Sequence, residues 1–329
     1  MTRRKLPESL SGTNLVLIMF ITGGLILLGV ASGGEMFSQQ GRVSFLSYLS
    51  VPVLIGLSQM AVLAVGQINL AVGAMGGASA AIMATSMANS GLSVPLALLL
   101  GVVMAVAFGA ISGVLVVITG LHGFIVTLGT MTILLGVQYA ILGATTVRDY
   151  PVELSTFGRQ NVLGVPWLFV GTLLAAAVLH VFYSRMVAGR QVLATGGSAV
   201  AARLSGVSNS RSIVLSYSIS GLFAGLAAVA SIASLSGINT TVGADWLLAS
   251  FAAPLIGGVL LSGGYVAVAG TILAASLIRI VDVARAQFLL DPSWSYFVVG
   301  AVVLVTVTAT EYRKRRDDIQ RQRIASTAP

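Results

Sequence analysis

The sequence predicts an all-α, polytopic membrane protein of about 10 transmembrane helices, with cytoplasmic N- and C-termini. Three observations carry that prediction. The 329 residues are 56% hydrophobic and only 9% charged, with a mean hydropathy of +0.97. Counting Gly and omitting Tyr, about 65% of the chain is apolar, against about 45–50% in soluble domains. So few charges cannot cover a water-soluble fold of this length, which excludes soluble enzymes, nucleic-acid modules, disordered scaffolds and disulfide-stapled secreted domains. Second, apolar segments of about 20 residues, enough to cross a hydrocarbon core of about 30 Å, recur along the chain, and the period-2 alternation of a barrel strand is absent. Third, the arginines are distributed as a topology signal.

The segments lie near 14–31, 45–65, 68–88, 94–119, 123–143, 165–184, 212–235, 246–262, 264–281 and 294–310. The first follows Arg3, Arg4 and Lys5, but its apolar stretch is long for a signal peptide and no A-x-A site follows, so it is expected to be an uncleaved anchor. This divides the chain into a cytoplasmic N-terminal segment (1–13), a transmembrane domain (14–310) and a basic cytoplasmic tail (311–329). The third, eighth and ninth segments are Gly-rich or short, which leaves open broken or re-entrant helices there. Gly73, Gly76 and Gly77, Gly109 and Gly113, and Gly221 and Gly225 fall at the spacing by which small faces let helices approach closely.

Orientation follows from Lys and Arg in short loops. The loop 185–211 holds Arg185, Arg190, Arg203 and Arg211 with no acid, and the tail holds Arg313, Lys314, Arg315, Arg316, Arg321 and Arg323. With an even number of spans these join the N-terminal cluster on the cytoplasmic side, which then carries 13 basic and 4 acidic residues against 5 and 6 opposite. The formal net charge of +8 is therefore a membrane-topology signal, and no nucleic-acid partner is implied.

Much chemistry is missing. Neither lysine, Lys5 nor Lys314, follows a Gly, so the chain has no P-loop of its own. The two histidines, His122 and His180, are far apart and no H-E-x-x-H or G-x-S-x-G occurs, so neither a metal site nor a catalytic residue is expected. Without cysteine there are no thiolate ligands, thiol nucleophiles or disulfides. Asp282, with Arg279 and Arg285 at i−3 and i+3 on one helical face, fits mutual pairing or contact with a ligand or partner.

Four stretches depart from generic apolar helix. Gly66-Gln67-Ile68-Asn69-Leu70-Ala71-Val72-Gly73 interrupts two spans with amides, which must find partners because an unpaired amide in an apolar medium costs about 2–7 kcal/mol. Gly123-Phe124-Ile125-Val126-Thr127-Leu128-Gly129-Thr130-Met131 opens a helix after His122. Gly189-Arg190 and the run from Gly196 to Val207 lie in the arginine-rich loop, where Ser198 suits an N-cap, Val200, Leu204 and Val207 share one face, and Gly206 can end the turn. The fourth runs Leu255-Ile256-Gly257-Gly258 to Leu261-Ser262-Gly263-Gly264.

Together, and in this order, these stretches resemble the membrane permeases of bacterial ABC importers for monosaccharides, the ribose/xylose/arabinose/galactose type within the branched-chain amino acid/monosaccharide superfamily. The resemblance covers roughly 45–310. It implies a permease subunit in the bacterial inner (plasma) membrane, not an enzyme, translocating a monosaccharide or similar small polyol. Implied partners are a second permease subunit in a homodimer, a periplasmic sugar-binding protein, and a cytoplasmic ABC ATPase with two nucleotide domains. ATP is used by that ATPase, and this chain binds no cofactor. Closure of the ATPase would push on the 189–207 region, making Gly189, Arg190, Gly197, Ser198, Arg203, Leu204 and Gly206 the candidate coupling residues. Candidate substrate-pathway residues are Gln59, Gln67, Asn69, Thr127, Thr130 and Gln138, for each of which capping or bridging of helices is the alternative. Arg190 and Arg203 have topology charge alone as theirs. The sequence departs from the family at Asn69, where Asp is usual, at Ala199-Val200, where acids are common, at Gly123 for Pro, at Tyr265-Val266-Ala267 and around Asp282. A stand-alone secondary transporter or channel for a small polar solute remains the alternative function, with an intramembrane enzyme behind it.

Overall fold

In a computed structural model the chain is a helical assembly whose described residues are 8–151, 154, 156, 158, 160–162, 164–291, 293, 294, 297, 298, 300, 301, 304 and 308. The first seven residues with Arg3, Arg4 and Lys5, most of the tenth apolar segment and the basic tail lie outside them. The helices are α1 Glu8–Ala31, α2 Gln39–Leu63, α3 Val72–Ser90, α4 Val94–Thr119, α5 Gly123–Leu142, α6 Trp167–Arg185, α7 Val187–Gly197, α8 Ala199–Leu204, α9 Asn209–Ser234, α10 Trp246–Ile256 and α11 Val268–Gln287. A 3-10 turn, Glu35–Phe37, precedes α2, and a two-residue antiparallel pair, β1 Asn161–Val162 with β2 Val165–Pro166, precedes α6.

Among the described residues, six helices are long and apolar enough to cross a membrane: α1 from Asn14, α2, α4, α5, α6 and α9. Side chains such as Leu15, Phe20, Leu99, Ile118, Ile133 and Val178 stand exposed on the outer helices. So much exposed apolar surface is at home only against hydrocarbon. α2 is the axis, buried along most of its length and packed on α9, α10, α11, α6 and α3.

The helix ends follow local chemistry. Ser38, Ser198 and Ser208 cap α2, α8 and α9 by accepting from the main chain three residues on, and His122 Nδ1 accepts from Phe124 N to cap α5. α2 starts at Gln39, six residues before the expected span, because Ser38 caps it there. The interruption expected near 66–74 is real: residues 64–71 leave the helix and α3 then runs unbroken from Val72 to Ser90. The segment 246–281 is broken. α10 has 11 residues, about 16 Å, and residues 257–267 are irregular before α11 begins. The loop 185–211 contains α8 as the N-cap pattern predicts, and also α7, which that pattern misses.

All seven glycines spaced for helix packing sit at contacts. A Cβ on Gly109 would strike the Tyr217 carbonyl and one on Gly221 the Ala105 carbonyl, so α4 and α9 pack backbone to backbone. Gly73 and Gly77 are pressed in the same way against the Gly243 and Val242 carbonyls.

The connections gather at two ends. Residues 64–71, 120–122, 186–208 and 257–267 meet at the arginine-rich end, and residues 32–38, 143–151, 160–162 and 235–245 at the opposite one, where Val147 bridges Ile238 and Gln39 bonds Asn161.

Candidate functional site

The irregular segment 64–71 places amides inside the bundle, and each finds a partner. Asn69, fully buried, accepts from Ala71 N (2.9 Å) and donates to Ser220 Oγ on α9 (2.9 Å). Ser220 also meets Ser58 Oγ of α2 at 2.9 Å, and Ser58 Oγ donates to the Ser220 carbonyl at 2.8 Å. Gln59, with its amide nitrogen turned toward the Asn69 carbonyl, donates to it at 2.8 Å and accepts from Asn69 N at 3.3 Å. Beside this layer, Gln67 Oε1 accepts from Gly123 N (2.7 Å), and Tyr217 Oη donates to the Ile68 carbonyl (3.0 Å). Thr127 Oγ1 accepts from Leu70 N (2.9 Å) and donates to the Gly123 carbonyl (2.7 Å).

Four of the six candidate pathway residues, Gln59, Gln67, Asn69 and Thr127, thus meet in one polar layer spanning α2, the 64–71 segment, the start of α5 and α9. Thr130 stands apart, bonding the Val126 carbonyl of its own helix. Gln138 lies toward the opposite end, where its Nε2 donates to the carbonyls of Val242 (3.0 Å) and Asn239 (3.4 Å). Ser58, Tyr217 and Ser220 complete the layer but were not singled out from sequence. Tyr217 and Ser220 carried a signal, hydroxyls at i and i+3 along the otherwise apolar α9, whereas Ser58 is a lone hydroxyl facing them from α2.

At the arginine-rich end, Gly264 N donates to the Ala64 carbonyl at 3.0 Å. The backbones of Gly66, Gly196, Gly197, Gly263 and Gly264 meet around that bond, with Gly66, Gly263 and Gly264 at positive φ. This seam joins α7 to the end of α2 and to the 257–267 segment. Gly189 is pressed against the Phe182 carbonyl at the α6–α7 corner. Arg190 is exposed and reaches the Arg185 carbonyl (3.4 Å). Ser198 caps α8, Gly206 (φ 78°) follows its end, and Asn209 ties α7 and α8 to α9 by bonding Thr195 and the Ala199 carbonyl. Arg203 and Leu204 are exposed, as is Val200, so α8 turns an apolar and cationic surface outward.

At the opposite end a cavity of about 600 Å³ opens between α2, α9, α10 and α11. Tyr48, Pro52 and Ile55 of α2, Ser231 and Ser234 of α9, Thr241, Asp245, Arg279 and Asp282 line it. Two further cavities of about 740 and 610 Å³ adjoin it, sharing Tyr48 and Ser234 in one case and Arg279 in the other. Arg279 lies over the rings of Tyr48 (5.2 Å) and Phe45 (6.0 Å), and its Nε has no hydrogen-bond partner. Asp245 is exposed toward the cavity, and the protein close around its carboxyl pushes it up from the ordinary value by desolvation, as does the Asp282 carboxylate, against a backbone hydrogen bond that lowers it. Among the described residues no group of histidines and carboxylates is arranged to hold a metal ion.

Residues 41–307 match the family described as branched-chain amino acid transport system / permease component. The chain is 30% identical over 303 residues to the probable ABC transporter permease protein y4mJ of Sinorhizobium fredii, covering 90% of each chain. It is 32% identical to the D-allose transport system permease protein of Escherichia coli, over 78% of this chain and 79% of that one. To the ribose import permease protein of Escherichia coli it is 30% identical, over 88% and 92%. No solved structure matches.

Proposed function

Because the chain belongs to the branched-chain amino acid transport system / permease component family, it is a multi-pass membrane transport subunit, and we propose that it forms the translocation pathway of an ATP-binding-cassette importer for a monosaccharide or similar small polyol. It works in the bacterial inner membrane with about ten spans and both termini cytoplasmic, which puts the arginine-rich end inside. A second copy, a periplasmic binding protein and an ATPase with two nucleotide domains complete the machine. The observation that carries this reading is the arginine-rich surface of α7 and α8 joined by a glycine seam to the end of the central helix. A helix pair that presents Arg203, Leu204 and Val200 outward, and has its base locked to α2, suits a handle worked by another protein.

The pathway runs along α2 from the cavity to the polar layer. In this conformation the layer of Gln59, Asn69, Ser58 and Ser220 is fully hydrogen-bonded to itself, which suits a closed gate. Polar groups that are already satisfied offer a passing sugar replacement bonds without holding it tightly, and weak binding keeps release fast.

Proteoliposomes test the proposal. With the ATPase and binding protein present, uptake of ribose, D-allose or galactose is expected to require ATP hydrolysis. Uptake by this chain alone, without ATPase or ATP, establishes the secondary transporter instead.

A further inference from the structure

We propose that the cavity between α2, α9, α10 and α11 is a binding site for a neutral polyhydroxy ligand, with Asp245 and Asp282 accepting from its hydroxyls and Arg279 donating to it. This rests on the importer reading above and assigns the place where the substrate is received before it crosses. The volume of about 600 Å³ falls within the range of about 300–1,000 Å³ usual for small-ligand sites. Its wall is largely apolar, with a few polar groups converging, as such sites require.

Arg279 stacks on Tyr48 and feels the charge of Asp282 one turn away on the same helix, yet its buried Nε has no hydrogen-bond partner. Ser234 Oγ is likewise buried without a partner. Pro52 has no N–H to give the Tyr48 carbonyl, which leaves another acceptor on this stretch of α2. A buried polar atom left unmet costs free energy, so a site that keeps several is arranged for something that meets them.

The mixture of charges selects the ligand. Carboxylates only accept and a guanidinium only donates, whereas a hydroxyl does both. A simple cation would meet Arg279 and a simple anion two carboxylates, whereas a neutral ligand with several hydroxyls satisfies all three; a zwitterionic amino acid is the competing chemistry, and leucine in the test below stands for it. The lining row of α2, Tyr48, Pro52 and Ile55, continues one turn deeper to Gln59, and that of α9 runs from Ser231 to Ser220. A ligand in the cavity therefore rests directly above the polar layer.

The chain has no cysteine, so Thr241→Cys in the full-length protein places a single thiol in the cavity wall. In intact cells its rate of modification by a charged, membrane-impermeant thiol reagent is measured with ribose, D-allose, galactose or leucine added. One of the sugars is expected to slow labelling severalfold. Asp282→Asn and Arg279→Gln should each raise the sugar concentration needed for half-maximal protection by about tenfold or more, read against each variant's own labelling rate without sugar. A thiol at Ser93→Cys, in the α3–α4 connection away from the cavity, should not be protected. The proposal is overturned if no sugar protects, if leucine alone does, or if both substitutions leave protection intact. ATP-driven uptake, measured on the same cells, separates the two inferences: uptake without protection removes this site and keeps the importer, whereas uptake independent of the ATPase removes the importer.

Discussion

Two adjacent glycines at the arginine-rich seam should respond oppositely to the same substitution. A Cβ on Gly196 would be driven into the Ala64 carbonyl oxygen and would stand 2.6 Å from Gly264 N. Those two atoms form the 3.0 Å hydrogen bond at the centre of the seam, so the methyl group wedges between donor and acceptor. Both obstacles are backbone, and neither can swing aside as a side chain would. Overpacking of this kind costs about 1–3 kcal/mol, and a buried hydrogen bond forced open adds a comparable amount, so Gly196→Ala should destabilise the folded protein by about 2–6 kcal/mol. At Gly197 the nearest atom to an added Cβ is Gly264 Cα at 4.0 Å, an ordinary contact. Gly197 lies in the last turn of α7, where alanine gains up to about 1 kcal/mol of helix propensity, so Gly197→Ala should be neutral or mildly stabilising. Thermal unfolding of purified protein in detergent, read by loss of the monodisperse species, compares the two with wild type, and ATP-driven sugar uptake reports whether the seam transmits force. Equal midpoints for both variants, or a larger loss at Gly197, would refute the assignment of the seam.

Three further outcomes follow from other contacts. Thr127→Val keeps shape but leaves Leu70 N–H without its acceptor, at a cost of about 1–3 kcal/mol, while Thr127→Ser should stay near wild type in the same unfolding assay. Gly221→Ala drives a methyl group into the Ala105 carbonyl and should lose about 1–3 kcal/mol, whereas Gly129→Ala and Gly136→Ala, whose added Cβ meets nothing within 4 Å, should be unchanged or slightly more stable. Charge reversal at the exposed Arg203, Arg203→Glu, should abolish binding-protein-stimulated ATP hydrolysis in the assembled transporter while membrane insertion and the unfolding midpoint stay at wild-type values.

Sequence legibility varied with how local the determining physics was. Span positions for α4 and α5 match closely, because Ser93, Gly120, His122 and Gly143 bound them and such signals act within a few residues. The α8 cap was readable for the same reason. α7 was not, since its eleven residues include Gly189, Gly196 and Gly197, which lower intrinsic helix propensity. Its helix is held by packing of Gly189 on α6 and Gly196 on α2, contacts between residues more than a hundred positions apart in the second case. The amides Gln59, Gln67 and Asn69 stood out as polar groups in an apolar run, yet Ser220, which Asn69 bonds, and Ser58, which bonds Ser220, come together only where α2 crosses α9. Asp282 carried a signal from the start, and the sequence allowed both mutual pairing with its arginines and contact with a ligand or partner. The stacking of Arg279 on Tyr48 was not legible there, because it depends on where α2 passes α11.

The central helix connects the features that matter for transport. Tyr48 and Pro52 line the cavity, Gln59 sits in the polar layer, and the Ala64 carbonyl just past the end of α2 accepts the seam's hydrogen bond. From Tyr48 to Ala64 is sixteen residues, about 24 Å along one helix. On the proposed reading, force applied to α7 would reach α2 through a backbone contact and need no relay of flexible side chains. Pro52, within the cavity wall, removes one intrahelical bond, and bending there would move the part of α2 below it relative to the part above. Moving that lower part shifts Gln59 and Ser58 relative to Asn69 and Ser220, the contacts that close the layer. An importer driven by a separate ATPase needs such a lever, and α2, which touches the cavity, the layer and the seam, is placed to serve as one.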